Sequence, residues 1–271
     1  MIRQQTVPFT ELNLPALVRD YLLGEDNVKP FVDAFPDRSA LEQRIQRRQF
    51  SDDYRKRLKS VLTRQYQGLE GEVVWNNINS LDKTNTLTIC TGHQLALATG
   101  PLYVIYKISS VIALTRKLNS DFPDKHFVPV FWMATEDHDF AEINHLSIGD
   151  KMINWASTQS GATGQFCPDE GLQRALLEMK EALGANEEAE SMMQLLRSAY
   201  AQPTLADATR TLMHGLFSQY GLVCIDANES ELKKIFAPVV KRELFEKVTA
   251  GNVEKTNREL RHRGYAPQVN A

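Results

Sequence analysis

The feature that most constrains the fold is a nearly continuous apolar segment, HFVPVFWMA, at residues 126–134. A segment of this length without polar alternation is typical of a strand that is buried on both faces of a parallel sheet. It is preceded by a β-branched segment, TLTIC at 86–90, and between the two lies a long apolar stretch from Pro101 to about Leu118. We therefore predict a βαβ unit in which Pro101 is the first residue of a largely buried crossover helix.

The rest of the chain is predicted to be mainly helical. The pairs Ser39 with Glu42 and Ser51 with Asp52 indicate the starts of two helices, and Asn228 with Glu231 indicates a third start. The predicted elements are a helical pair from Ser39 to about Leu69, a hairpin about Gly149 and Asp150, a helical pair at 169–183 and 186–200, a helix at about 204–220, a third buried strand at 221–227 and a helical tail. This order predicts an α/β fold with a parallel sheet and with hairpin and helical insertions.

Composition and charge exclude several classes of function. The chain carries 31 basic and 34 acidic side chains, a net charge of −3, which argues against binding to nucleic acid through general charge. It contains no apolar segment of about 18 residues and no secretory signal near its first residue, so we expect neither a membrane span nor export. Its three cysteines are far apart and lack CxxC spacing, which favours a reducing cytoplasm.

The first segment that could carry chemistry is TGHQLALATG, at residues 91–100. Ligands bind at the carboxyl ends of parallel strands, and the start of the following helix favours a phosphate or carboxylate. The spacing matches neither GxGxxG nor GxxxxGK[ST], and a tight turn without a ligand explains the segment equally well. Tyr103 and Lys107, one helical turn apart, are predicted to reach the same anion. The candidate anion- or substrate-binding residues here are Thr91, Gly92, His93, Gln94, Thr99, Gly100, Tyr103 and Lys107.

The second segment is TEDHDFAEINH, at residues 135–145, which places six titratable side chains directly after a buried strand. Clustered carboxylates raise the pKa of some carboxyl groups and of nearby histidines, so the cluster is predicted to supply an acid and a base. The candidate catalytic residues are Glu136, Asp137 and His138, and Asp139, Asn144 and His145 are candidate substrate ligands. Two alternatives stay open: a solvated loop with a helix cap from Asp137 or Asp139, and a metal site made of His93, His138 and a carboxylate, although no spacing such as HExxH supports it.

A third segment, Asp226–Glu229, ends the last predicted strand and could hold a ribose or an amine, although a helix cap explains it better. Cys90 and Cys224 are predicted to be small core residues, because they lie inside predicted buried strands. The same argument places Phe131, Trp132 and Met133 in the core.

Three motifs in this order carry a resemblance to a known family: TGHQLALATGPLYVIYK, VPVFWMATEDHDFAEINH, and YGLVCIDA followed by a tail with GYAPQV. The chain resembles the cysteine-adding enzymes, or cysteine ligases, of bacillithiol biosynthesis. The resemblance implies a Rossmann-like core related to nucleotidyltransferases and class I aminoacyl-tRNA synthetases, with connecting-peptide-like insertions. It divides the chain into an N-terminal helical segment at 1–80, a core at 81–142 and 203–271, and an insertion at 143–202. Members of the family are longer and continue into a coiled coil, so the resemblance implies an N-terminal portion of a protein that forms a homodimer at full length.

The resemblance also implies a reaction, in which the carboxyl group of cysteine is joined to the amine of glucosaminyl malate to form an amide. A free carboxylate acylates amines too slowly, so an amide-forming ligase normally activates it as an adenylate or acyl phosphate. ATP and ADP are candidate cosubstrates, and the identity of the activating cosubstrate stays open. Related enzymes carry a histidine-rich HxGH signature in the first βα turn, where this chain has Thr91–Gln94 with the single histidine His93. Two other functions stay open: a metal-dependent hydrolase or deacetylase-like enzyme, and a nucleotide- or sugar-binding module that is inactive at this chain length.

Overall fold

Three parallel strands form the centre of the larger of two units in the computed structural model, which describes residues 7–35 and 37–269. The larger unit extends from Phe50 to Ile235, and the smaller comprises the described residues up to Gln49 together with those from Phe236 onward. Within the described residues, no helix is both long and apolar enough to cross a lipid bilayer.

The helices and strands follow one another in the predicted order. The strands are β1 (Thr86–His93), β2 (His126–Met133), β3 (His145–Ile148), β4 (Lys151–Asn154) and β5 (Val223–Asp226). The α-helices are α1 (Ala16–Leu23), α2 (Arg38–Arg47), α3 (Asp52–Gln65), α4 (Glu72–Ser80), α5 (Tyr103–Asp121), α6 (Phe140–Ile143), α7 (Glu170–Leu183), α8 (Glu187–Ala199), α9 (Leu205–Phe217), α10 (Ser230–Glu246) and α11 (Val248–His262). Short 3₁₀ turns occupy Phe9–Glu11, Asp26–Phe31, Leu97–Thr99, Thr163–Gln165 and Ser218–Tyr220.

The central sheet confirms the predicted βαβ unit and the third core strand. Its strand order is β1-β2-β5, and both neighbouring pairs are parallel. The apolar segment forms β2, the middle strand. β1 extends to His93, three residues beyond the predicted end at Cys90, because residues 91–93 pair with residues 131–133 of β2. Gly92 fits closely here, since a Cβ atom on it would lie 3.1 Å from the Trp132 carbonyl oxygen. Thr91 and Gly92 therefore belong to the strand and not to the loop.

The two faces of the sheet pack against different helices. On one face, Val128 and Val130 of β2 join a core cluster with residues of α3 and α4. On the other face, Phe131 and Met133 join a larger cluster with α5, α7, α8 and α9. The prediction that Trp132 and Cys90 are core residues is wrong, since Trp132 is 48% exposed and Cys90 is also exposed. The physical reason is that α3 and α4 make their main strand contacts with β5, on the far side of β2 from β1.

The crossover helix is buried on one side only. α5 begins at Tyr103, two residues after the predicted start at Pro101. It packs against β1 and β2 through a stripe of apolar side chains, while Leu102, Tyr106 and Leu114 are exposed. The prediction of a largely buried helix is therefore wrong, because a single sheet covers only one side of it.

The segment between β2 and β5 has the predicted hairpin and helices. β3 and β4 form an antiparallel hairpin about Gly149 and Asp150, and α7, α8 and α9 pack in sequence. Asp169 caps α7 and accepts a hydrogen bond from the indole nitrogen of Trp155 at 2.8 Å, which fixes the hairpin against the helical layer. The boundaries predicted for an insertion, 143 and 202, stay a prediction.

Two of the predicted helix starts are corrected. Ser51 caps α3 as predicted, since its hydroxyl accepts the Tyr54 N–H at 3.2 Å. The cap of α2 is Asp37 and not Ser39, because the Asp37 carboxylate accepts the Ala40 N–H at 2.8 Å. α10 begins at Ser230, so the residue that precedes it is Glu229 and not the predicted cap, Asn228, whose backbone N–H donates to the Asp226 carboxylate at 2.9 Å.

Candidate active site

His93 is the last residue of β1, and both of its ring nitrogens have hydrogen-bond partners. Nδ1 lies 3.0 Å from the carbonyl oxygen of Gln94, and Nε2 lies 2.8 Å from the hydroxyl of Tyr103, the first residue of α5. A carbonyl oxygen only accepts, so we assign the proton of the neutral imidazole to Nδ1. Nε2 then accepts a hydrogen bond from the Tyr103 hydroxyl.

Gln94 joins the loop after β1 to the loop after β2. Its amide nitrogen donates to Asp137 Oδ2 at 2.9 Å and to Glu142 Oε2 at 2.6 Å. These two carboxylates lie 43 and 48 residues away along the chain. One amide therefore holds two like charges beside the carboxyl ends of β1 and β2, where ligands bind in sheets of this kind.

Asp137 is held in the ionised form. Its pKa lies below the ordinary value because its carboxylate accepts the Asp139 N–H and then the Gln94 amide, with a further contribution from His138. The pKa of Asp137 is thus lowered, whereas the clustering of carboxylates in this segment predicts raised pKa values for some of its carboxyl groups. Asp137 is therefore suited to accept hydrogen bonds from a ligand and is a weak proton acceptor at neutral pH.

The backbone of a distant 3₁₀ turn supports the loop after β2. Thr163 donates its N–H to the Asp137 carbonyl at 2.7 Å, and Gly164 donates to the Thr135 carbonyl at 3.0 Å. A Cβ atom on Gly164 would lie 2.6 Å from the Thr135 Cβ, so only glycine permits this approach. Asp139 caps α6 by accepting the Glu142 N–H at 3.2 Å, as one of the open alternatives predicted.

The remaining candidates after β2 point in several directions. Glu136 forms an ion pair with Lys233 of α10 at 2.7 Å. His138 is exposed, and within the part of the chain that the structure describes its side chain has no hydrogen-bond partner. The Asn144 amide oxygen Oδ1 lies 3.2 Å from Nδ1 of His145, within hydrogen-bond distance. Glu136, His138 and His145 are thus not joined to the Gln94 bridge by hydrogen bonds.

Lys107 and Tyr103 do not converge on one anion site, contrary to the prediction. The Lys107 ammonium donates to the Gly92 carbonyl at 2.5 Å, whereas the Tyr103 hydroxyl is bonded to His93. Lys107 therefore satisfies a backbone oxygen of β1.

The loop between β1 and α5 is held in a strained conformation by internal contacts. Ala98, Thr99 and Gly100 have positive φ angles of 48°, 72° and 53°. The Ala98 N–H donates at 2.8 Å to the hydroxyl of buried Tyr200, whose pKa is raised to about 12 by burial. A Cβ atom on Gly100 would collide with the Ala96 side chain, so Gly100 is required for packing as well as conformation.

Asp226 connects the ends of β2 and β5. Its Oδ1 accepts the Thr135 hydroxyl at 2.5 Å and the Asn228 N–H at 2.9 Å. The Gln65 amide pairs with the Asp226 backbone, donating to its carbonyl at 2.8 Å and accepting its N–H at 3.1 Å. Asp226 is thus a structural link that ends β5 shortly before α10, in line with the structural interpretation of this segment.

Sequence reasoning left out the pairing of Gln94 with Glu142 and the role of Thr135. The local pattern gave a partial signal, since Glu142 was part of the titratable cluster. For a metal centre, the described residues contain no group of three or more His, Cys, Asp or Glu side chains placed to hold an ion. The geometry therefore gives no support to the metal site considered from the sequence.

Comparison with known proteins identifies the family. Residues 2–271 match the family model described as "Bacillithiol biosynthesis BshC, N-terminal Rossmann-like domain". Two similar relatives, both named "Putative cysteine ligase BshC", come from Cytophaga hutchinsonii (41% identity over 93% of this chain and 46% of the relative) and Flavobacterium johnsoniae (40% over 94% and 48%). The chain spans about half the length of these relatives. The Rossmann-like α/β fold and the family resemblance are confirmed, and the chain belongs to the BshC family of bacillithiol biosynthesis, in which it corresponds to the N-terminal Rossmann-like domain.

Proposed function

We propose that this chain forms part of the substrate site of a cysteine ligase that joins the carboxyl group of cysteine to the amine of glucosaminyl malate. The observation that carries the proposal is the Gln94 bridge, which holds Asp137 and Glu142 together at the carboxyl ends of β1 and β2. The relatives' printed name, cysteine ligase, supports the reaction class.

The two carboxylates suit the amine partner of such a reaction. An amine approaches as an ammonium group, which donates hydrogen bonds to ionised carboxylates. In the proposal, Asp137 orients this group, since hydrogen bonds keep its pKa low and its carboxylate charged. His138 is exposed and directly precedes the Asp139 cap, and we propose it as the group that takes the amine proton.

The acyl partner needs activation, because a carboxylate does not acylate an amine at a useful rate. The proposal therefore includes ATP or ADP as a cosubstrate. The loop at 91–100 does not form a phosphate cradle in its described conformation: Gly92 and Gly100 serve internal packing, and the ammonium of Lys107 is bonded to the Gly92 carbonyl. We therefore assign no phosphate contact to this loop and route no step of the reaction through a nucleotide.

The proposal is tested with the protein at its full natural length. Cysteine and glucosaminyl malate are supplied with ATP, with ADP or with neither, and the amide product is measured by mass spectrometry. D137N should lower kcat/KM about 10- to 100-fold, because the amine loses an oriented charged acceptor. Asp150→Asn, at the exposed turn between β3 and β4, is the matched control and should stay within about twofold.

Replacement of both Asp137 and His138 by alanine with undiminished ligation would contradict the assignment. The binding-module alternative is tested with this chain itself, by following its melting temperature with ATP, ADP, cysteine and glucosaminyl malate. Stabilisation by glucosaminyl malate that disappears in D137N supports the ligase site. No stabilisation by either substrate would contradict the placement of the site in this chain.

A further inference from the structure

We infer that Tyr103 contacts the ligand as a hydrogen-bond acceptor, and that His93 is the positioning residue that sets this polarity. The inference rests on the proposed function, because it takes the ligand to be the amine substrate beside the Gln94 bridge. It replaces the sequence-based view of Tyr103 as an anion ligand with the opposite assignment.

The two hydrogen bonds of the His93 ring fix the direction of the Tyr103 hydroxyl. The Gln94 carbonyl accepts from His93 Nδ1–H, which leaves Nε2 as an acceptor 2.8 Å from the Tyr103 hydroxyl. The hydroxyl has one proton, and that proton is directed at Nε2. The phenolic oxygen therefore offers its lone pairs, and no donor, to any further partner.

The Tyr103 side chain is accessible from solvent. Tyr103 is 52% exposed, although its ring packs edge-on against His93 at a centroid distance of 5.3 Å. The imidazole thus holds the ring and its hydroxyl in one orientation while the oxygen remains open to solvent. An exposed acceptor of fixed direction suits an ammonium or hydroxyl donor of an aminosugar.

The Gln94 bridge adds two carboxylates to the candidate site. Gln94, which supplies the carbonyl for His93, carries the bridge to Asp137 and Glu142, both acceptors. Lys107, the nearby cation on α5, is bonded to the Gly92 carbonyl. The positive end of the α5 dipole favours an anion instead. Tyr103 as a hydrogen-bond acceptor therefore predicts a cationic or hydroxyl donor as the ligand, whereas Tyr103 as an anion ligand predicts a carboxylate or phosphate.

The direction of the hydrogen bond is tested without any ligand. Nitrogen-15 NMR of labelled histidine, with the His93 signals identified by their loss in H93Q, reports which ring nitrogen carries the proton. We expect protonated Nδ1 and unprotonated Nε2 in the neutral imidazole. A proton on Nε2 of the neutral ring would overturn the inference, whatever the protein's function.

The ligand contact is tested by calorimetry with two probes, glucosamine as a cationic donor and succinate as an anion with acceptors only. Y103F should weaken glucosamine binding about five- to tenfold, the effect of one lost hydrogen bond, and leave succinate binding within twofold. Tyr106→Phe is the matched control, since Tyr106 is 65% exposed on the same helix, and should leave both within twofold.

Two histidine variants separate positioning from folding. His93→Leu removes the acceptor and should weaken glucosamine binding as Y103F does, and Y103F added to it should cause no further loss. H93Q keeps an oxygen acceptor within reach and should restore binding to within about threefold. Weaker succinate binding in Y103F, or unchanged glucosamine binding in Y103F, would overturn the assignment of Tyr103 as a hydrogen-bond acceptor for the ligand and would leave the proposed function standing. Absence of glucosamine binding to the unsubstituted protein would contradict the proposed function as well.

Discussion

Thr135 and Thr163 are both buried, but only the hydroxyl of Thr135 has a hydrogen-bond partner among the described residues, so substitution by valine should have opposite effects on stability at the two positions. Thr135 is 1% exposed and donates its hydroxyl to Asp226 at 2.5 Å, which joins the ends of β2 and β5. Thr163 is fully buried, and its hydroxyl has no hydrogen-bond partner among the described residues. Valine has nearly the shape of threonine, so each substitution isolates the hydroxyl.

The expected magnitudes follow from what each hydroxyl does. T135V removes a hydrogen bond to a carboxylate, which contributes about 1.5–3 kcal/mol when buried. Since Asp226 is only partly buried and keeps the Asn228 N–H, we expect a loss of about 1.5 kcal/mol in the free energy of unfolding. T163V removes an unsatisfied polar group and adds a methyl group in its place, so we expect a gain of about 1 kcal/mol.

Thermal and urea unfolding of this chain measure both effects. A change of 1 kcal/mol shifts Tm by about 2–4 °C in a unit of this size, so T135V should melt about 3–6 °C lower and T163V a few degrees higher. Urea unfolding with unchanged m-values would show that the free energy itself has changed. Equal destabilisation by both substitutions would refute the reasoning, because it would mean that burial alone decides the cost.

Three further predictions follow from other contacts. Gly164→Ala should lower the free energy of unfolding by about 2 kcal/mol, since the new Cβ would lie 2.6 Å from that of Thr135. Gly251→Ala, in open space within α11, should raise the free energy of unfolding by about 0.5–1 kcal/mol. Denaturant unfolding measures both changes. Because the pKa of Asp137 is lowered from 3.8 in the folded chain, its ionised carboxylate stabilises the fold above about pH 4, and this stabilisation is lost as the pH falls through the pKa of the folded state. The difference in free energy of unfolding between the unsubstituted chain and D137N should therefore shrink in acid. A difference that grows in acid would contradict this prediction. Burial raises the pKa of Cys224 to about 12, so a thiol reagent should label the two exposed cysteines of the native chain and reach Cys224 only after unfolding; native labelling of all three would refute this placement.

The elements best predicted from the sequence were those whose signal is local. β2 follows from nine nearly uninterrupted apolar residues, and the start of α3 follows from Ser51 and the acidic residues behind it. The end of β1 was missed because Thr91–His93 looks like a loop, and only pairing with β2 keeps these residues extended. The prediction that Trp132 is buried is wrong for a different reason, since burial of a strand face depends on where the neighbouring helices lie.

The candidate site was predictable in position but not in its contacts. The two loops follow β1 and β2, and the topology of parallel sheets brings their ends together. No local pattern shows that Gln94 bonds both Asp137 and Glu142, or that Lys107 turns to the Gly92 carbonyl. Such contacts join residues far apart in sequence and depend on the packed loop, which includes the Gly164 approach.

The central claim is that the Gln94 amide assembles the amine site by holding two carboxylates. The most direct measurement is kcat/KM for ligation of cysteine to glucosaminyl malate by Gln94→Met in the protein at full natural length, with Gln173→Met on the exposed face of α7 as the control. Methionine keeps the length of the side chain and removes both hydrogen bonds, so we predict a loss of at least about 30-fold with little change in Tm, and activity within twofold for the control. Full activity in Gln94→Met would contradict the account.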